Sequence, residues 1–169
     1  NLTNTRIFYA RTGSLTLKNL TIANVGGAMP GGGIFSSAIL TLERCTLNNN
    51  SAAGQEGGAI YNYNTATLVQ CSLTSNVAGN GAGIHNNGTL TVRHCTIAGN
   101  TANVGGGIFM QTGMTLENSI VAGNTANFGP NIYNGPTLTR VGANIVPNLH
   151  TNSGLAGSGT ILTSDPLLG

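Results

Sequence analysis

Few side chains of this sequence are able to carry out acid–base chemistry. The chain of 169 residues has six lysines or arginines, three histidines and four carboxylates, which are Glu43, Glu56, Glu117 and Asp165. Hydrolysis of a glycosidic bond needs two carboxyl groups about 5 to 10 Å apart. A Ca²⁺-dependent lyase would need several carboxylates around the ion, because hard cations are held by oxygen ligands. Either chemistry therefore depends on which carboxylates the fold brings together.

The three cysteines are the other set of side chains with reactive chemistry. Cys45, Cys71 and Cys95 are spaced along the chain by the same steps as the repeat described next. An odd number of cysteines excludes a complete set of intramolecular disulfides. A zinc site needs a fourth ligand and a tetrahedral arrangement, which a straight row of residues does not provide. We therefore predict thiols that fill the core, with no metal and no other cofactor.

The chain repeats itself with a period of about 24 residues, which indicates a solenoid. For example, "IAGNTANVGGGIF" at 97–109 returns as "VAGNTANFGPNIY" at 121–133. The first step, from Ile34 to Ile60, is two residues longer than the steps that follow. Two columns of recurring residues define the register, namely Ile34, Ile60, Ile84, Ile108 and Ile132, and Asn50, Asn76, Asn100, Asn124 and Asn148.

The content of one repeat predicts strands and turns. Stretches such as "TLTVRHCTI" alternate apolar residues with threonine, which is the period of a strand, and the rest is rich in Gly, Asn, Ser and Thr, which favour turns. We predict an all-β, single-stranded parallel β-helix of five to six coils, with three short strands in each coil. Residues 1–25 would form a degenerate N-terminal coil, 26–148 the repeat array, and 149–169 an irregular C-terminal coil or tail that continues into a longer protein.

Stacked coils would place equivalent residues about 4.8 Å apart. The Ile column, two Leu columns and the cysteines, continued by Ser119 and Ala143, would point inward. A further column would hold Leu47, Leu73, Ile97, Val121 and Ile145. The Asn column would lie at a bend and form hydrogen bonds from coil to coil.

His85 would stack between Tyr61 and Phe109. The two extra residues of the first, longer step would form a longer loop between Ser51 and Glu56.

This register separates the carboxylates. Glu43 and Glu117 share an outward column but lie three coils apart, roughly 14 Å at strand spacing. Glu56 falls in a loop and Asp165 in the tail, and Arg93 is expected to form a surface ion pair with Glu117. We therefore predict that the chain is not an enzyme and has no catalytic residues. A polysaccharide-active β-helix enzyme is the alternative that these carboxylates leave open.

One outward row of threonines is a candidate binding surface, because threonine rows on flat β-solenoids order water against ice. We count one threonine per coil on each strand, so an exposed β position is the preferred explanation and ice binding the alternative. A second, shorter row of Thr21, Thr46, Ser72 and Thr96 would lie on the next strand. The first row consists of Thr16, Thr41, Thr67, Thr91, Thr115 and Thr139.

Charge and hydropathy exclude two classes of partner. The net charge of +2 is spread thinly along the chain, whereas nucleic-acid binding needs clustered cations. No apolar run approaches the length of a membrane span. We expect no nucleic-acid partner and no membrane-spanning segment here.

The repeats resemble those of the bacterial polymorphic outer membrane proteins, whose marks are GGA[ILV] and FxxN. "GGAIY", "GAGIH" and "GGGIF" follow "LNNN", "LTSN" and "IAGN", and the resemblance extends from Gly26 to Tyr133. "TSDPLLG" at the C-terminus is similar to a segment that often follows such arrays. Leu47, Leu73, Ile97 and Val121 replace the aromatic residue of FxxN.

The resemblance implies a right-handed β-helix in a secreted or cell-surface protein, often an autotransporter passenger or an adhesin, and it carries over no catalytic residues. We therefore expect a non-enzymatic extracellular scaffold. Its partners would be flanking coils of the same protein and a glycan or a receptor on a host or cell surface. The alternative is a structural subunit that assembles end to end with neighbouring copies into a filament or surface layer.

Overall fold

The protein is a parallel β-helix, as the sequence predicts. The computed structural model describes residues 6–133, 135–150 and 154–162, and within these the chain winds through about six coils of about 24 residues. Every strand pairing in these ranges is parallel, and no helix occurs in them. The part of the chain described here thus contains no helix of the length and apolarity needed to cross a membrane.

The strands are short because the chain turns after every few residues. In chain order they are β1 (Phe8–Ala10), β2 (Ser14–Lys18), β3 (Thr21–Ala23), β4 (Gly26–Gly27), β5 (Ile34–Ser36), β6 (Ile39–Glu43), β7 (Thr46–Asn48), β8 (Ser51–Glu56), β9 (Ile60–Asn62), β10 (Thr65–Val69), β11 (Ser72–Thr74), β12 (Val77–Asn80), β13 (Ile84–Asn86), β14 (Thr89–Arg93), β15 (Thr96–Ala98), β16 (Ile108–Met110), β17 (Met114–Glu117), β18 (Ile120–Ala122), β19 (Ile132–Tyr133), β20 (Thr137–Val141), β21 (Ala143–Ile145), β22 (Gly154–Ala156) and β23 (Thr160–Leu162).

These strands form three long sheets and one short sheet. Sheet A contains β1, β5, β9, β13, β16 and β19, and sheet B contains β2, β6, β10, β14, β17, β20 and β22. Sheet C contains β3, β7, β11, β15, β18, β21 and β23, and sheet D contains β4, β8 and β12. Sheet D is a fourth strand position that the three-strand prediction lacks. Two of the strands, β22 and β23, fall in the segment predicted as irregular.

The two-residue insertion lies between Ser51 and Glu56, where the sequence places it, but it forms part of a strand. Ser51 pairs with Val77 and Glu56 pairs with Asn80, so the sequence separation between partners falls by two along β8. The two extra residues therefore bulge out of β8 instead of forming a longer loop, because the flanking residues on both sides keep their pairing with β12.

Two corners of each coil use a left-handed backbone conformation. The corner between sheets B and C has positive φ at Asn19, Arg44, Gln70, His94, Asn118 and Gly142. The corner after sheet C has positive φ at Asn24, Asn49, Ser75, Gly99, Gly123 and Asn148. Asn and Gly adopt this conformation at the lowest cost. Eight of these twelve corner residues are accordingly Asn or Gly.

The core is narrow, and in it equivalent side chains of successive coils stack on one another. The isoleucine column pairs in register along sheet A, and each member is completely buried. Inward residues of sheets B and C, such as Leu42, Leu68 and Leu73, pack against it. Each fully buried side chain of this size stabilises the fold by about 1.5 to 3 kcal/mol. The core therefore runs continuously along the helix axis.

The predicted register is wrong in the last coil by one residue. Glu117 pairs with Val141, but Ile120 pairs with Ile145, so the sequence separation between partners rises by one between these two pairs. The extra residue lies at the corner around Gly142, which has a φ of 63°. Because side chains alternate along a strand, a shift of one residue reverses the face of every residue after it.

Three assignments change as a result. Asn144, and not Ala143, continues the cysteine column, since the Oδ1 of Asn144 accepts a hydrogen bond from the N–H of Ser119 at 2.9 Å. Val146 is completely buried while Ile145 is half-exposed, so Val146 continues the inward column of sheet C. Asn148 is exposed at the second corner, with a φ of 50°, and it does not continue the buried asparagine column as predicted.

Candidate binding face

The carboxylates on sheet B are paired with cations. The Oε2 atom of Glu43 lies 2.8 Å from the Nζ of Lys18 and 4.0 Å from a guanidinium nitrogen of Arg44. The hydrogen bond from Lys18 lowers the pKa of Glu43, and the charges of both cations act in the same direction. The predicted pair is also confirmed, with the Nε of Arg93 2.8 Å from the Oε2 of Glu117. Both carboxylates therefore lie within ion-pair distance of a cation on the neighbouring strand.

The remaining two carboxylates are not brought to sheet B. Glu56 lies at the end of β8, beside the aromatic column of sheet A. Burial raises the pKa of Tyr61 and the charge of Glu56 adds to that effect, whereas at His85 the same charge opposes burial. Asp165 falls outside the described residues. Within the described ranges, no three His, Cys, Asp or Glu side chains are grouped as metal ligands.

The cysteine column closes the corner between sheets B and C. Cys45, Cys71 and Cys95 are free and buried. The N–H of Cys71 donates to the Sγ of Cys95 at 3.3 Å, and the N–H of Cys95 donates to the Oγ of Ser119 at 3.1 Å. Hydrogen bonding with Cys95 lowers the pKa of Cys71 to about 7. Cys95 and Ser119 thus each satisfy a corner N–H of the preceding coil.

At the second corner, buried asparagines accept hydrogen bonds from backbone N–H groups of the preceding coil. We call this row, which consists of Asn50, Asn76, Asn100 and Asn124, the asparagine ladder. The Oδ1 of Asn76 accepts hydrogen bonds from the N–H and the Nδ2 of Asn50, at 2.9 and 3.0 Å, and the pattern repeats from Asn76 to Asn100 and from Asn100 to Asn124. Each Nδ2 also donates to a backbone carbonyl of the preceding coil, such as that of Leu47 for Asn76. These amides are buried and have hydrogen-bond partners, so their role is structural.

The aromatic column runs along sheet A, with the rings stacked from Phe35 onward and Tyr9 tilted by 58° against Phe35. It consists of Tyr9, Phe35, Tyr61, His85, Phe109, Tyr133 and His150, with ring centroids 4.8 to 5.5 Å apart. The predicted position of His85 is confirmed, because its ring lies 4.9 Å from Tyr61 and 4.8 Å from Phe109. Each inner ring contacts a neighbouring ring on both of its faces. They therefore have no free face on which a sugar ring could stack.

His85 is held in this stack as a buried side chain. It is 3% exposed, and its Nε2 lies 3.1 Å from the Oδ1 of Asn87, whose Nδ2 donates to the Tyr61 hydroxyl at 2.7 Å. Burial lowers the pKa of His85, while Glu56 and Asn87 act in the opposite direction. A lowered pKa favours the neutral ring within the stack.

The predicted threonine row is in register along sheet B from β2 to β20. Thr16 pairs with Thr41, and the row continues through Thr67, Thr91, Thr115 and Thr139. On the strands from β6 to β17 the flanking residues are buried, as Leu40 and Leu42 are on either side of Thr41. Leu15 on β2 and Arg140 on β20 are half-buried. The row therefore points outward and is half-exposed or exposed along its length.

The expectation of one threonine per strand is wrong. Strand β10 has Thr65 two residues before Thr67, and β14 and β20 have Thr89 and Thr137 in the same relation to the main row. These residues belong to a second outward column, since Thr65 pairs with Thr89 and with Ile39. Sheet B thus carries two adjacent outward columns, which we call the threonine face. Its second column contains Ser14, Ile39, Thr65, Thr89, Gly113 and Thr137.

A notch interrupts the threonine face at Gly113. The absence of a side chain there leaves a shallow cavity of about 200 Å³ between neighbouring threonines. Its walls are Thr89, Thr115, Thr137 and Thr139, and its floor includes the buried residues Leu90 and Met114. The notch is one strand wide.

Charged side chains on the strands of sheet B from β2 to β17 occupy a third column, on the other side of the main threonine row. Arg140, on β20, stands instead in the column of Leu116. Lys18, Glu43, Arg93 and Glu117 lie in the third column, together with Val69 and Val141. The two salt bridges described above join these charges in pairs. The threonine face itself has hydroxyl and methyl groups and no ionisable side chain.

The geometry defines the class of protein as a parallel β-solenoid whose inner and corner columns are structural. The chain matches the family model of the right-handed β-helix region over residues 2–150. It therefore belongs to the right-handed β-helix family, and the predicted handedness is confirmed. Comparisons with curated proteins and with solved structures gave no significant match.

Proposed function

We propose that the chain is a non-catalytic scaffold of a bacterial secreted or cell-surface protein, of the adhesin or passenger type. One observation carries this proposal. The two carboxylates that share a column on sheet B each lie 2.8 Å from a cation of the neighbouring strand. The same sheet exposes a regular neutral face beside them. The surface is thus organised for contact along its length.

The separation of the carboxylates supports a non-catalytic role. Glu43 and Glu117 lie three coils apart, roughly 14 Å at strand spacing, which exceeds the distance used in glycoside hydrolysis. A general acid needs a raised pKa, whereas the neighbouring cations lower the pKa of Glu43. Neither property suits a pair of catalytic carboxyl groups.

The extracellular part of the proposal is supported by the repeat itself. The period and the order of "LTSN" and "GAGIH" resemble the polymorphic outer membrane protein repeat over most of the array. A surface with only ten Asp, Glu, Lys and Arg residues in 169, rich in Asn and Thr, suits contact with neutral glycans more than with nucleic acid. The partner that we propose is a glycan or a receptor on a host or cell surface.

Binding and activity measurements on the purified chain test this function. The chain would be screened on a glycan array and on host-protein panels, and assayed for release of reducing ends or unsaturated sugars from polysaccharides. Saturable binding without turnover is the expected result. Turnover that disappears in Glu43→Gln or Glu117→Gln would contradict the proposal, with Glu56→Gln as the matched control on another sheet.

End-to-end assembly is separated from the adhesin role by electron microscopy and light scattering. An adhesin fragment is expected to remain monodisperse over a range of concentrations while it binds its ligand. Rods that lengthen in steps of one subunit, with no glycan or receptor binding, would instead favour a filament-forming subunit.

A further inference from the structure

We propose that the threonine face of sheet B binds ice. This inference goes beyond the scaffold function and does not depend on it. It rests on the register of two outward columns, which the strand pairings define, and on the neutral chemistry of those columns. The first column presents a hydroxyl group on every strand of sheet B from β2 to β20, and the second column adds another on β2, β10, β14 and β20.

The spacing of the threonines is fixed by the backbone in both directions. Neighbouring strands lie about 4.8 Å apart, and residues two apart along a strand are separated by about 6.6 Å. Thr65, Thr67, Thr89 and Thr91 occupy the corners of one such rectangle on β10 and β14. The two distances are close to the repeat distances between water oxygens on the prism faces of ice. Water bound to these hydroxyls would therefore lie near the positions of an ice lattice.

The side chains on this face are suited to hold that water in place. A threonine hydroxyl offers one donor and two acceptor positions, and the β-branched side chain has restricted freedom at χ1. Beneath them, Ala66, Leu68, Leu90 and Val92 are completely buried. The hydroxyl array is thus supported by packed core and moves little.

The charge pattern complements a neutral lattice. Ions hold hydration shells that do not fit the arrangement of water in ice, so charges within the face would oppose adsorption. From β2 to β17, the charged residues of sheet B lie in the adjoining column, where Lys18 is bound to Glu43 and Arg93 to Glu117. Arg140, on β20, pairs with Leu116 and donates to the carbonyls of Ala156 and Gly157. These charges already have partners on the protein.

The notch at Gly113 provides a variant that should gain function. A Cβ atom at this position would lie 3.3 Å from the carbonyl oxygen of Thr137 and 3.9 Å from its Cβ. Gly113 does not have a positive φ, so a side chain needs no left-handed backbone, but the Thr137 carbonyl has to move slightly to relieve the 3.3 Å contact. Gly113→Thr would extend the second column unbroken from Thr65 to Thr137.

The experiment measures adsorption of the purified, fluorescently labelled chain to a single ice crystal, together with inhibition of ice recrystallisation. The wild-type chain should label defined ice planes. Gly113→Thr should increase recrystallisation inhibition, and Thr91→Lys, at the centre of the face, should abolish both signals. Thr96→Lys, on the outward row of sheet C, is the matched control and should retain them. Circular dichroism confirms that each variant is folded.

Three results would overturn the proposal. These are a folded wild-type chain that does not adsorb to ice, equal losses in Thr91→Lys and Thr96→Lys, and a decrease in activity for folded Gly113→Thr. If the wild-type chain ignores ice but binds a neutral sugar, and Gly113→Thr abolishes that binding, the notch is a sugar site and the face does not bind ice.

Discussion

Asn131 accepts two hydrogen bonds from Asn124, from its N–H at 3.1 Å and from its Nδ2 at 3.0 Å, although the two residues lie only seven positions apart. Elsewhere in the ladder the acceptor comes from the next coil, 24 or 26 residues away. Asn131 stands where earlier repeats have Gly83 and Gly107. Its side chain thus ends the ladder from within the same repeat and donates to the carbonyl of Pro147 at 2.6 Å.

Asn131→Gly should destabilise the protein even though it restores the residue that the two preceding repeats have, Gly83 and Gly107. The change leaves the buried N–H of Asn124 without its acceptor, and an unsatisfied group of this kind costs about 1 to 3 kcal/mol. Asn148→Gly is the matched control, because Asn148 is exposed and its φ of 50° suits glycine. Urea denaturation of both variants measures the difference. A larger loss of stability in Asn148→Gly than in Asn131→Gly would show that Asn148, as predicted from the sequence, is the residue that accepts the hydrogen bonds of Asn124.

Cys71→Ser should be tolerated better than Cys71→Asp. Two coils further on in the same column, Ser119 already accepts a corner N–H and donates its hydroxyl to the carbonyl of Glu117 at 2.7 Å. A serine at position 71 can therefore repeat that pattern. Aspartate would place an unpaired carboxylate in the core, with an effective penalty of several kcal/mol.

The aspartate penalty should also depend on pH. Burial without a cationic partner raises the pKa of the new carboxyl group in the folded state. The destabilisation is therefore fully present above that folded pKa and is relieved as the pH falls towards the unfolded pKa of about 3.9. Chemical denaturation of Cys71→Asp and Cys71→Ser at neutral pH and at a pH of about 4 compares the two. Equal stability of both variants at neutral pH would argue that this column is hydrated.

His85 should make stability fall on acidification below its ordinary pKa of 6.5. Burial lowers its pKa in the folded state, so the unfolded chain takes up the proton first and the free energy of unfolding decreases as the pH drops from 6.5 towards the folded pKa. His85→Phe keeps a ring between Tyr61 and Phe109 and removes the titrating group. The difference between wild type and His85→Phe in this pH window isolates the effect. A parallel pH dependence in both proteins would assign it to other groups.

Glu43→Gln and Glu117→Gln should leave the denaturation midpoint and any ligand binding nearly unchanged. Both carboxylates are partly exposed, and ion pairs of this kind contribute little because water and salt screen them. The double variant, measured at low and at high salt, checks this expectation. A large loss of stability, or loss of a hydrolase or lyase activity, would contradict the structural role of these pairs.

Several local features could be read from the sequence because the repeat places like residues on one another. The isoleucine column, the stacking of His85 between Tyr61 and Phe109, and the Arg93–Glu117 pair all follow once the period of the repeat is known. The longer first step also located the insertion between Ser51 and Glu56. In each case the relevant neighbour is an equivalent residue one coil away, so no knowledge of the other sheets is needed.

The second threonine column is defined by the sequence and the strand register together. The pairs Thr65 and Thr67, Thr89 and Thr91, and Thr137 and Thr139 are written in the sequence. Their outward direction and their alignment into one face with a notch at Gly113 come from the strand register of sheet B.

The sequence by itself therefore determined the solenoid, its period and the columns of the regular coils, since periodic side chains pack on their own copies. Only the tertiary structure decided the fourth sheet, the bulge in β8 and the last coil. In that coil, one extra residue near Gly142 moves Asn144 and Val146 inward, and Asn131 replaces the expected Asn148. The physical reason is that a corner can absorb one residue without breaking the hydrogen-bonded ladder. Which side chains then turn inward depends on the pairing of whole strands.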